Sequence, residues 1–109
     1  MNGPAHSGTC EPASEPALED AVVRVFVICN KKGLHARASA KFVQTVEKFD
    51  AAVRVTRCNE SVGGTSIMGL MMLAAAPGTS ITVEATGREA AEVVEALAAL
   101  IDTRFGESD

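Results

Sequence analysis

The chain has 109 residues, room for one domain and not two, and 47% of them are apolar. It has no Trp or Tyr, only four Phe and a net charge of −4, so it lacks both the basic surface and the stacking aromatics of a nucleic-acid binder. No run approaches the roughly 20 apolar residues of a membrane span, the opening MNGPAHSGTC lacks the apolar core of a signal peptide, and three cysteines without a CxxC spacing argue against a disulfide framework. A soluble, cytoplasmic protein is expected.

Residues 1–20 hold Glu11, Glu15, Glu19 and Asp20 and no Lys or Arg, which accounts for the whole net charge. Rich in Pro, Gly, Ala and Ser, they read as a disordered acidic tail, leaving 21–109 as the folded domain. His6 and Cys10 in this tail are too few to make a metal site. Residues 21–46 carry Arg24, Lys31, Lys32, Arg37 and Lys41 and no acid, a local basic field suited to an anionic ligand or an acidic partner.

Val22 to Cys29 is β-branched and apolar and reads as a buried strand. Asn30-Lys31-Lys32-Gly33 breaks it. A helix follows from about Ala36 to Asp50, with Ala36, Ala40, Val43 and Val46 on one face and Phe42 and Phe49 beside it. Val53 to Arg57 alternates as a strand, Asn59-Glu60 sits at a hairpin turn, and Ser61 to Gly64 makes a short return strand. Ser66 is a good N-cap for a short helix, Ile67 to Leu73. Pro77-Gly78 turns the chain into a strand from Thr79 to Ala85. A final helix spans about Arg88 to Thr103, with Ala90, Val94, Leu97 and Ile101 as its stripe and Val93 and Leu100 widening it. The order β-α-β-β-α-β-α implies an α+β fold, four mostly antiparallel strands with helices on one face.

Three features carry chemistry. Gly33 permits a sharp turn that brings His35 to the mouth of a helix. The first N–H groups of a helix have no internal partner and face the positive end of its dipole, so Ala36 and Arg37 offer backbone donors to an anion there. A neutral imidazole is a nucleophile near neutral pH, and the Arg37 side chain adds charge-assisted hydrogen bonds, so a phosphoryl group on His35 is a coherent reading. Against it stands a His35 that merely caps the helix, and a Cys–His pair would need Cys29 or Cys58 beside it. Ser66 is the second feature, a helix cap whose phosphorylation would suit the helix dipole. The third is Ile67 to Leu73, apolar nearly all round, which is either core or a Met-rich partner surface.

The run GLHAR after a first strand, with SIMGLMML downstream and a final Ala/Leu helix, resembles HPr, the histidine-containing phosphocarrier family of the bacterial phosphoenolpyruvate-dependent phosphotransferase system, over about residues 21–105. The resemblance implies an open-faced β-sandwich with three helices on one side. It implies that His35 is phosphorylated on Nδ1 by enzyme I, that Arg37 assists, and that the group passes to a IIA-type acceptor. Ser66 would match a serine modified in some bacteria by an HPr kinase/phosphorylase. Ile67, Met68, Leu70 and Met71 would match the docking helix. The family usually has Pro where this chain has Ala38, so a less fixed first turn is expected. HARASAKF resembles the variant of alphaproteobacterial chains serving nitrogen-related (NPr-like) relays. A monomer without metal or organic cofactor is expected, acting as a carrier and not as an enzyme. A regulatory module switched at Ser66 is the alternative. A small-ligand sensor fold shares the layer order but leaves GLHAR unexplained.

Overall fold

The computed structural model describes residues 21–73 and 75–106. The acidic segment expected over residues 1–20 lies outside these. The strands are β1 (Val22–Val27), β2 (Ala52–Arg57), β3 (Glu60–Gly63) and β4 (Ser80–Thr86); the helices are α1 (Ala36–Glu47), α2 (Ile67–Met72) and α3 (Ala90–Asp102). The strands form one sheet in the order β1-β4-β2-β3, antiparallel at every step. Alternation decides the faces. Val53, Val55, Ile81, Val83 and Phe26 are buried with Phe42, Val46, Val93, Val94, Leu97, Leu70 and Leu73 of the helices. The other face of the sheet is open, as the expected open-faced sandwich requires.

That layout corrects the reading of β1. It is an edge strand, and Phe26 is its one buried residue, while Val23, Val25 and Val27 point to the open face and are exposed. An antiparallel sheet covered on one side leaves alternate residues to water, whatever their polarity. The open face also holds Arg54 of β2 against the buried Glu84 of β4, an ion pair with Arg54 Nε donating at 2.7 Å.

Helix α1 starts at Ala36 as expected and stops at Glu47, three residues before Asp50. Its buried face is Ala38, Ser39, Phe42, Val43 and Val46, rotated from the expected stripe, so Ala36 is exposed. Helix α3 buries Ala90, Val93, Val94, Leu97 and Ile101, the stripe read from the sequence, but starts two residues late. Gly87, at φ 114, makes the turn before it, and the Glu89 carboxylate there accepts the Asp50 N–H at 2.7 Å.

The β2–β3 turn falls on Cys58-Asn59, and Glu60 already pairs with Arg57. Cys58 takes a left-handed φ of 58 there. Arg104, Phe105 and Gly106 form a left-handed turn after α3 that buries the Phe105 ring, and Lys41 Nζ donates to the Phe105 carbonyl at 2.6 Å. No helix among the described residues is long and apolar enough to cross a membrane.

Candidate functional site

The site begins where β1 runs out. The Ile28 N–H still donates to the Thr79 carbonyl, and the chain then turns through Asn30 to Gly33. Gly33 has φ +67, and a Cβ there would stand 2.3 Å from the carbonyl oxygen of Ala75. Only glycine meets both demands. The next N–H, that of Leu34, donates to the same Ala75 oxygen at 3.0 Å. Leu34 is buried, and His35 emerges half-buried in extended backbone, φ −79 and ψ −176, as the N-cap of α1.

Nδ1 of His35 accepts the backbone N–H of Arg37 at 3.3 Å. An acceptor nitrogen has its lone pair in place, so this bond puts the neutral ring's proton on Nε2. The first intrahelical bond of α1 runs from the Ser39 N–H to the His35 carbonyl at 2.9 Å. The N–H groups of Ala36, Arg37 and Ala38 therefore precede the helical ladder, at the positive end of a 12-residue helix with no acid in its first turn. The Arg37 side chain is exposed next to them, and Lys31 and Lys32 are exposed on the preceding turn.

The basic stretch of residues 21–46 does not gather at one place. Arg24 is paired with Glu95 of α3 at 2.8 Å, and Lys41 is committed to the Phe105 carbonyl. Nor is a Cys–His hydrogen bond found among the described residues. Cys29 Sγ donates to the Ile101 carbonyl at 3.2 Å, and Cys58 sits in the β2–β3 turn. A groove between β1 and α3 takes in Cys29, Phe26, Glu95 and Ile101 but no residue of the His35 turn. Among the described residues no group of three or more His, Cys, Asp and Glu could hold a metal ion; His6 and Cys10 lie outside them.

Ser66 caps α2, its hydroxyl accepting the Gly69 N–H at 3.0 Å, and is exposed. Along α2, Ile67 and Met71 are exposed and Met68 is 71% exposed. Leu70 is the correction: it is 0% exposed, turned into the core between the sheet and α1, and offers nothing to a partner. Met72, 70% exposed, takes its place on the surface although its neighbours gave no sign of it. Arg57 donates to the Leu73 carbonyl at 3.1 Å and ties off the end of α2, and the chain then reaches Ala75 beneath the His35 turn. The Leu34–Ala75 hydrogen bond thus ties the His35 turn to the segment that follows α2.

A family model described as the PTS HPr component phosphorylation site matches residues 22–103. The chain belongs to the HPr family. The phosphocarrier protein HPr of Neisseria meningitidis serogroup A is 55% identical over 82 residues, covering 75% of this chain and 92% of that protein. The phosphocarrier protein NPr of Shewanella violacea is 36% identical over 85 residues, covering 78% and 93%. The crystal structure of HPr from Thermoanaerobacter tengcongensis superposes with a TM-score of 0.77 at 40% identity, covering 81% of this chain and 99% of that one. This HPr-family chain is a phosphoryl carrier of the phosphotransferase system, a relay protein and not a catalyst with turnover of its own.

Proposed function

We propose that His35 is the residue that carries the phosphoryl group, bonded at Nδ1. The observation that supports this most is the bond between Nδ1 and the Arg37 N–H. It is long for a hydrogen bond, so it orients the ring at little cost to release. As the Nδ1–P bond forms, the donor's bond to phosphorus breaks and its electron pair stays with the donor. The Arg37 N–H then loses the lone pair it faced and meets a phosphoryl oxygen instead, with the Ala36 N–H alongside and the Arg37 guanidinium free to close over the group. The helix end is already charged to receive the anion, so little has to rearrange during transfer.

In this reading enzyme I loads the carrier from phosphoenolpyruvate in the cytoplasm, and a IIA-type protein unloads it. Both partners dock on the exposed apolar residues Ile67, Met68, Met71 and Met72, whose flexible thioether chains adapt to more than one surface. The nitrogen-related relay rests on the run HARASAKF; relatives named HPr and one named NPr both match the chain. Incubation with enzyme I and phosphoenolpyruvate tests the reading: label belongs on His35 and nowhere else.

A second reading makes Ser66 a regulatory site for a protein kinase. Its exposed hydroxyl beside Ile67 and Met68 supports it, because a phosphoserine would add about −2 charge to the docking face. Phosphorylation would then slow loading of His35 without touching the histidine.

A further inference from the structure

Two polar side chains near His35 are fully buried, Asn30 and Ser39, both at 0% exposure. Each donates a side-chain hydrogen bond to a peptide carbonyl of the run that leads into His35. Asn30 Nδ2 donates to the Gly33 carbonyl at 2.8 Å, and the same oxygen accepts the His35 N–H at 2.9 Å. The Gly33 N–H returns to the Asn30 carbonyl at 3.3 Å, closing the turn on itself. From the other side Ser39 Oγ donates to the Leu34 carbonyl at 3.3 Å, and the Ser39 N–H donates to the His35 carbonyl at 2.9 Å. Three successive carbonyls, those of Gly33, Leu34 and His35, are each held by one of these two residues.

We infer that Asn30 and Ser39 are positioning residues for phosphoryl transfer, a pair of buried clamps that fix the backbone of His35 so that Nδ1 faces the Arg37 N–H. The inference rests on the reading of His35 as the phosphoryl acceptor. The physical case is geometric. The bond from Nδ1 to Arg37 is made with His35 extended at φ −79 and ψ −176, and those angles depend on where the Gly33 and Leu34 peptides lie. Ala38, in the first turn of α1, has no ring to fix that turn's φ, so the burden falls on side-chain hydrogen bonds. A buried donor costs free energy unless it is bonded, and the Asn30 amide N–H and the Ser39 hydroxyl are bonded to the Gly33 and Leu34 carbonyls. In a reaction that runs mainly on positioning, a displacement of about 1 Å costs on the order of a hundredfold in rate.

The test uses the full chain as acceptor for enzyme I, with phosphoenolpyruvate as donor. Variants Asn30→Ala, Asn30→Asp and Ser39→Ala are compared with wild type for turnover at saturating carrier, for KM and for the ring-nitrogen NMR signals of His35. Asn30→Asp keeps the shape but has no donor once ionised. Turnover falls at least fivefold for both Asn30 variants and about twofold to threefold for Ser39→Ala, whose bond is longer. KM stays within twofold, because no docking residue has changed. The His35 signals shift toward a mixture of tautomers in the same order. If Asn30→Ala does not fold, the shape-preserving Asn30→Asp and the mild Ser39→Ala carry the same prediction. Folded variants with wild-type turnover and an unchanged His35 signal overturn the inference. A wild-type chain that takes no label on His35 overturns the reading beneath it instead.

Discussion

The backbone N–H of Arg37 and Nδ1 of His35 stand 3.3 Å apart across the first turn of α1. This one relationship makes His35 both the cap of a helix and a nucleophile set among that helix's first N–H groups. The two roles separate in energy. Loss of an N-cap costs about 0.5–2 kcal/mol of stability, whereas loss of the nucleophile removes the acceptor altogether. His35→Ala is therefore expected to fold, to melt a few degrees lower and to accept no phosphoryl group; circular dichroism and a transfer assay on the same sample check both halves.

Gly33→Ala should be costly out of proportion to its size. The residue sits at φ +67 and its new Cβ would meet the Ala75 oxygen at 2.3 Å, a backbone atom that cannot swing away. The cost exceeds the ~1 kcal/mol of an ordinary glycine replacement at positive φ. For a domain of this size that is a fall in melting temperature of more than about 4–8 °C. Because the Leu34–Ala75 bond is lost with it, transfer should slow even in the fraction that stays folded.

The α2 residues split into two kinds. Met68→Ala removes an exposed side chain and should change stability by less than about 0.5 kcal/mol while raising KM for enzyme I severalfold. Leu70→Ala empties a buried position and should cost about 2–5 kcal/mol with no specific effect on KM in the folded fraction. Urea melts beside steady-state kinetics tell the two apart. Equal KM for Met68→Ala and wild type would remove Met68 from the docking face.

Ser66→Asp retains an oxygen to accept the Gly69 N–H, so α2 should stay capped. It places a charge beside Ile67, Met68 and Met71. Stability should change little and KM for enzyme I should rise. Ser66→Ala should do the reverse, costing about 1 kcal/mol through the lost cap with KM unchanged.

The start of α1 and the stripe of α3 were legible because local signals agree there: a glycine before the site, then apolar residues at helical spacing. Three other features needed tertiary information. VVRVFV is as apolar on the edge of a sheet as in its centre, so the exposure of Val23, Val25 and Val27 depends on which strands pair with β1. Ile67 to Met72 contains no polar residue to mark a wet face, so Leu70 and Met72 could not be told apart. Asn30 reads as an ordinary turn residue, and only the buried carbonyl of Gly33 shows what its amide is for. Residues 21–46 show the same limit for charge. Basic residues that are neighbours in the chain are divided in space between Glu95, Phe105 and the His35 turn.

That His35 holds the phosphoryl group is tested most directly by labelling. The chain and its His35→Ala variant are incubated with enzyme I and labelled phosphoenolpyruvate, then split between acid and alkali. The account predicts one phosphoryl group per wild-type chain, lost in acid and kept in alkali, and none on the variant. Acid-stable label, or equal labelling of the two proteins, would contradict it.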